Sequence, residues 1–81
     1  MIDLNLPYTK EVDARGLNCP LPILRTKKAL ADILPGDVLR VLSTDPHSER
    51  DFVAFAKQTG HELVQTGKSE NIYVFYLRRS I

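Results

Sequence analysis

The chain of 81 residues has a single cysteine, no excess of either charge and no long apolar run. Each shortage closes off a class of protein. One cysteine makes no internal disulfide, which excludes a secreted disulfide-stapled scaffold and a zinc site built from several cysteines. Eleven basic against ten acidic side chains leave a net charge of +1. That is no electrostatic footprint for nucleic acid or an anionic membrane. The longest unbroken apolar run, Ile72 to Leu77, has the length of a strand and falls far short of a bilayer. Met1 to Tyr8 has neither a basic start nor a long apolar stretch, so no signal peptide is expected. The expected location is the cytoplasm, where a lone thiol stays reduced and reactive. No repeat, low-complexity tract or linker interrupts the chain, and its length predicts one domain over residues 1–81. What is present is an ordinary globular balance, 43% hydrophobic and 26% charged, which argues against wholesale disorder.

Tyr8 to Ala14 alternates as a half-buried strand, with Tyr8, Val12 and Ala14 on the inner face and Lys10 as the exception. Gly16, in Arg15-Gly16-Leu17-Asn18, permits a turn most residues resist. Cys19-Pro20-Leu21-Pro22 then opens a helix, because proline is favoured in a first turn where its missing N–H would have had no partner. Ile23, Leu30 and Leu34, with Leu24 and Ala31 beside them, mark its predicted inner face, and Pro35-Gly36 its stop. Asp37 to Ser43 is nearly continuous in apolar residues, as suits a strand with neighbours on both sides. Asp45-Pro46 predicts an Asp-capped second helix that runs through Phe52, Phe55 and Ala56 to Gly60. His61 to Thr66 reads as a strand, Gly67 to Asn71 as a polar turn and Ile72 to Arg78 as the strongest strand. The order β-α-β-α-β-β predicts an α/β two-layer sandwich, with a mixed four-stranded sheet and two helices on one face.

Chemistry concentrates at Cys19. A helix N-terminus favours thiolate through its free N–H groups and dipole, so the thiol pKa is expected below its ordinary value. Pro20 and Pro22 stiffen the turn and aim the sulfur, but they also remove two backbone donors. Arg15, four residues upstream, is expected to add positive charge nearby. The competing reading is a buried cysteine that acts as a small hydrophobe. No second cysteine resolves an oxidised form, which argues against thioredoxin-type cycling.

The segment Asp13-Ala14-Arg15-Gly16-Leu17-Asn18-Cys19-Pro20-Leu21-Pro22 resembles the signature of the TusA/SirA family of small sulfur carrier proteins. The resemblance extends through Lys27-Lys28, Pro35-Gly36-Asp37, Thr44-Asp45-Pro46 and Phe52 to Gly60, nearly the whole chain. It implies a β-α-β-α-β-β fold similar to the C-terminal domain of translation initiation factor three, with sheet order 1-2-4-3. It also implies that Cys19 accepts sulfane sulfur as a persulfide from a cysteine desulfurase or rhodanese, and passes it to an acceptor protein similar to DsrE or TusD. The uses implied are tRNA 2-thiouridine synthesis, sulfur supply for molybdenum cofactor and sulfur oxidation. No metal or organic cofactor is needed for such a relay. Members that serve tRNA thiolation carry Glu between the two prolines, where Leu21 stands here. The stretch Gly16 to Leu30 is more similar to members from sulfur-oxidising bacteria.

The remaining candidates have plainer explanations beside them. His47 and His61 have no partner at metal-ligand spacing and read as surface residues. Asp45 is explained by a helix cap, with a partner contact as the alternative. Lys27 and Lys28 are expected to face the thiol and steer an acidic protein partner, although such pairs, like Arg78-Arg79, are commonly solvated. The rival function is a non-catalytic RNA-binding or regulatory module using the basic pairs and the open sheet face. The near-neutral charge and the lack of aromatics in a basic groove argue against it.

Overall fold

A computed structural model of the chain describes residues 7–80. The stretch Met1 to Leu6, part of the segment in which no leader was expected, lies outside the described residues. The elements run β1 (Lys10–Ala14), α1 (Leu21–Leu30), β2 (Val38–Ser43), α2 (Ser48–Thr59), β3 (Glu62–Ser69) and β4 (Ile72–Arg78). The sheet has the order β1-β2-β4-β3, as the resemblance implied. β1 is parallel to β2, and β4 is antiparallel to both β2 and β3. β4 is therefore an inner strand, which is why Val74 to Leu77 are buried without a polar alternate.

The core lies between the helices and one face of the sheet. Ala29, Leu30 and Ile33 meet Leu39, Val41, Phe52, Phe55, Phe75 and Leu77 there. Phe52 and Phe75 stack with ring centroids 4.3 Å apart, which ties α2 to the central strand. On the other face Arg40 lies 5.3 Å from the Tyr8 ring and 5.9 Å from the Tyr76 ring, and pairs with Glu11 at 3.1 Å. Tyr8 thus belongs to that face and not, as the alternation predicted, to the side of Val12 and Ala14. It precedes the first ladder residue, Lys10, so strand parity does not bind it.

Four local expectations need correction. The inner stripe of α1 runs through Pro22, Thr26, Ala29 and Leu30, while Leu24 and Leu34 are exposed. Thr26 occupies a core position because its hydroxyl donates to the Pro22 carbonyl at 2.8 Å. The helix also stops at Leu30 rather than at Pro35, so Leu34 escapes the helical spacing that would have turned it inward and Ile33 takes the core place. β3 extends to Ser69, which leaves Glu70-Asn71 as a two-residue hairpin turn with Glu70 at φ 58°. Its polar second half fits an edge strand, where one side of the ladder faces water. Finally, α2 begins at Ser48, and its N-cap position is His47 rather than Asp45.

Candidate functional site

The loop between β1 and α1 is held from the loop between β2 and α2. The Ala14–Leu17 turn closes by a hydrogen bond from Leu17 N to the Ala14 carbonyl at 3.2 Å, with Gly16 at φ 81°, where a side chain would be strained. The Gly16 N–H donates to Thr44 Oγ1 at 2.9 Å, and the Cys19 N–H donates to Asp45 Oδ2 at 2.7 Å. Asp45 is 5% exposed and is itself anchored, since its N–H donates to Ser43 Oγ at 3.2 Å. Its other oxygen, Oδ1, accepts from His47 N at 3.0 Å and lies 3.1 Å from His47 Nδ1. The carboxylate thus caps a turn ahead of α2 and reaches across to the backbone of the cysteine. These donors hold Asp45 below the usual carboxylate range: the His47 N–H first, then Cys19 N–H and the His47 ring, against burial.

Cys19 is an exposed free thiol. The Cys19-Pro20 peptide bond is cis. The cysteine stands two residues before the first helical residue, Leu21, with Pro20 at the N-cap. It sits at one end of an open groove of about 270 Å³ between α1 and α2. Pro20, Ile23 and Lys27 line one side, and Asp51, Ala54, Phe55, Gln58 and Thr59 the other.

The electrostatics reverse the expected direction of the thiol pKa. It is raised, chiefly by a hydrogen bond to the Asp51 carboxylate, then by desolvation and the charges of Asp51 and Asp45; Arg50 alone opposes. The helix terminus compensates little, because most of its donors are spent or missing. Pro20 and Pro22 bring no N–H, the Cys19 N–H serves Asp45, and the Leu21 N–H serves the Asn18 carbonyl at 2.9 Å. Arg15 gives no help either. Its Nε and Nη2 each bond Asp13 at 2.8 Å, which holds the Asp13 carboxyl down to about 2.

The sulfurtransferase TusA family profile matches residues 10–79. The sulfur carrier protein TusA of Allochromatium vinosum is 51% identical over 73 residues, which cover 90% of this chain and 96% of that protein. The chain belongs to the TusA family. A second TusA family protein, the sulfur carrier protein TusA of Pseudomonas paraeruginosa, is 37% identical and covers 90% of this chain and 92% of its own length. The crystal structure of a SirA-like protein from Desulfitobacterium hafniense superposes with a TM-score of 0.77 at 25% identity, over 90% of this chain and all of that one.

The structure of this TusA family member sorts the candidate residues. Gly16, Pro20 and Pro22 shape the cysteine loop; Arg15 is committed to Asp13. Lys27 lines the thiol groove, but Lys28 does not; it lines a separate hollow with Lys10, Glu11, Arg25 and Asp32. Adjacent helical residues point about 100° apart, so the pair was never going to share a face. Leu21 and Leu24, 46% and 52% exposed, leave apolar surface beside the cysteine. His47 is exposed against Asp45, and His61 Nδ1 accepts from the Ser80 N–H at 3.1 Å. Arg78 pairs with Glu62 at 2.8 Å, and Arg79 donates to the Ile33 carbonyl. Among the described residues no group of three His, Cys, Asp or Glu is placed to hold a metal. Among the described residues no helix is long and apolar enough to cross a membrane. Asp51 was missed entirely; its only signal was its place in the first turn of α2, the turn that faces Cys19.

Proposed function

We propose that the protein, as a single carrier domain over residues 1–81, carries sulfane sulfur on Cys19. The supporting observation is one reactive group in one place: an exposed thiol on a tightly tethered loop, at the mouth of a groove open to a protein partner. Cys19 Sγ attacks the outer sulfur of a donor persulfide. The donor's sulfur–sulfur bond breaks, its thiolate leaves and takes up the proton that Cys19 gives up, and Cys19 is left as a persulfide. An acceptor thiolate then attacks the outer sulfur, and Cys19 departs as thiolate and is reprotonated. No net oxidation occurs in either step. A cysteine desulfurase or a rhodanese fits the donor role, and a DsrE- or TusD-like protein that of acceptor. Leu21, where a tRNA-thiolation member has Glu, joins Leu24 in an exposed apolar surface for the partner, which favours a sulfur-oxidation setting.

The test is mass spectrometry after incubation with a cysteine desulfurase, cysteine and pyridoxal phosphate, or with a rhodanese charged by thiosulfate. The protein is expected to gain one sulfur atom and lose it to a reductant. Folded protein that stays unmodified with both donors would end this reading. The RNA-binding alternative finds little support on the sheet: Tyr76 is fully buried, and Tyr73 is half-buried with Lys68 Nζ 5.2 Å from its ring.

The split between the two lysines gives a second test. Lys27→Glu should slow acceptance from the protein donor by roughly threefold to tenfold at low salt and change its salt dependence, since rim charges act on encounter. Lys28→Glu should leave acceptance near wild type. Neither should alter alkylation by iodoacetamide, because neither lysine is among the charges that act on the thiol. Equal slowing by both variants would mean that overall charge, not groove position, steers the partner.

A further inference from the structure

Sulfur acceptance needs a thiolate, yet this site is built against one. Asp51 lines the groove with Cys19 from the first turn of α2. Asp45, from the loop ahead of α2, grips the Cys19 N–H at 2.7 Å and so keeps the cysteine against those carboxylates. The positive groups are few and displaced. Arg50, 79% exposed, approaches Asp51 only to 3.9 Å, and Lys27 lies about 10 Å along α1 from the cysteine end of the groove. The His47 ring is turned to Asp45. A partner that merely closes the groove makes matters worse, because removing water penalises the charged sulfur further. Only positive charge or N–H donors brought by the partner relieve it.

We propose that Asp51 is a gate on Cys19: its carboxylate holds the empty carrier's sulfur as a hydrogen-bonded thiol, and a donor that places a basic group beside Asp51 releases the thiolate. The gate is a positioning device, not a catalytic residue, and its use in sulfur transfer rests on the carrier reading. Such a gate spares an exposed thiol from small electrophiles yet lets it react with its docked donor. The raised thiol pKa, with Asp51 as its leading cause, agrees with this geometry.

The experiment compares wild type, Asp51→Asn and Asp51→Glu, each shown folded by a thermal melt. Iodoacetamide alkylation is followed across pH 6 to 10, a readout that needs no sulfur donor. Asp51→Asn should move the midpoint of the pH profile down and speed alkylation at pH 7 by about threefold or more, a gain already tempered because nucleophilicity falls as the thiol becomes more acidic. Asp51→Glu should keep the wild-type profile. An unchanged profile in Asp51→Asn overturns the gate, whatever the carrier assay shows. Persulfide acceptance from a rhodanese charged by thiosulfate is then measured on the same proteins. Acceptance within about twofold of wild type, beside faster alkylation, supports relief by the donor. A parallel rise in both rates overturns that relief. A loss of tenfold or more assigns Asp51 as the proton acceptor instead and also overturns the gate.

Discussion

Cys19→Ser is expected to abolish sulfur loading completely while leaving the protein folded. No other thiol exists in the chain, so no second site can accept sulfane sulfur as a persulfide. The fold should tolerate the change because the side chain is exposed and serine is nearly isosteric with cysteine. Serine is a good N-cap, but position 19 lies one residue ahead of the N-cap Pro20, so no capping gain is expected either. The tether to Asp45 survives as well, since it runs through the backbone N–H. A denaturant melt should therefore fall within about 0.5 kcal/mol of wild type, the range of surface substitutions. Intact-mass measurement after incubation with either donor should show no added sulfur. A Cys19→Ser protein that still gains reductant-labile sulfur would place the carried atom elsewhere and refute the mechanism. Cys19→Ala serves as a second variant, free of any hydroxyl effect.

Much of this architecture was legible, because its signals are local. Gly16 and Cys19-Pro20-Leu21-Pro22 mark the β1–α1 junction, Gly60 marks the end of α2 with φ 82°, and the branched and aromatic run of β4 announces a buried inner strand. The strand order itself followed from the family resemblance and not from the pattern. The errors share a different origin. Thr26 is polar by type yet buried, because its own helix supplies a carbonyl; a hydropathy pattern cannot see that bond. β3 looked short because an edge strand needs no apolar second half. The site electrostatics were illegible for a sharper reason. The expectation of an acidic thiol came from the helix that follows Cys19, whereas the charges that decide it come from residues 26 and 32 positions downstream, Asp45 and Asp51. Sequence proximity suggested Arg15 as the electrostatic partner, but Arg15 is fully engaged by a carboxylate two residues away.

That long-range tether leads to the other large effect, at Asp45. Helix capping alone predicts a cost of about 1 kcal/mol for Asp45→Ala. The structure predicts more. The carboxylate is 5% exposed and serves the Cys19 N–H, the His47 N–H and the His47 ring, so alanine leaves partly buried donors without an acceptor. Bonds to a charged acceptor are worth about 1.5–3 kcal/mol each and do not add in full, which sets the expected loss at about 3 kcal/mol. For a domain of this size that is a fall in Tm of about 12–24 °C. Asp45→Asn should lose a smaller share, because an amide offers one acceptor oxygen and turns a donor toward one of the N–H groups. The pH dependence follows from the depressed carboxyl. Its folded pKa lies below the unfolded value of about 3.9, so its stabilisation is fully present above that pH and is lost as pH falls through the folded pKa. Wild type should therefore destabilise more steeply than Asp45→Ala below about pH 4. Asp13, held at about 2, titrates in the same acid window but is exposed and common to both proteins, so it cancels in the comparison. The measurement is a set of thermal melts of the two proteins between neutral pH and the acid limit of folding. A loss near 1 kcal/mol with parallel acid slopes would mean that Asp45 only caps the turn before α2, and that Cys19 holds its place without it.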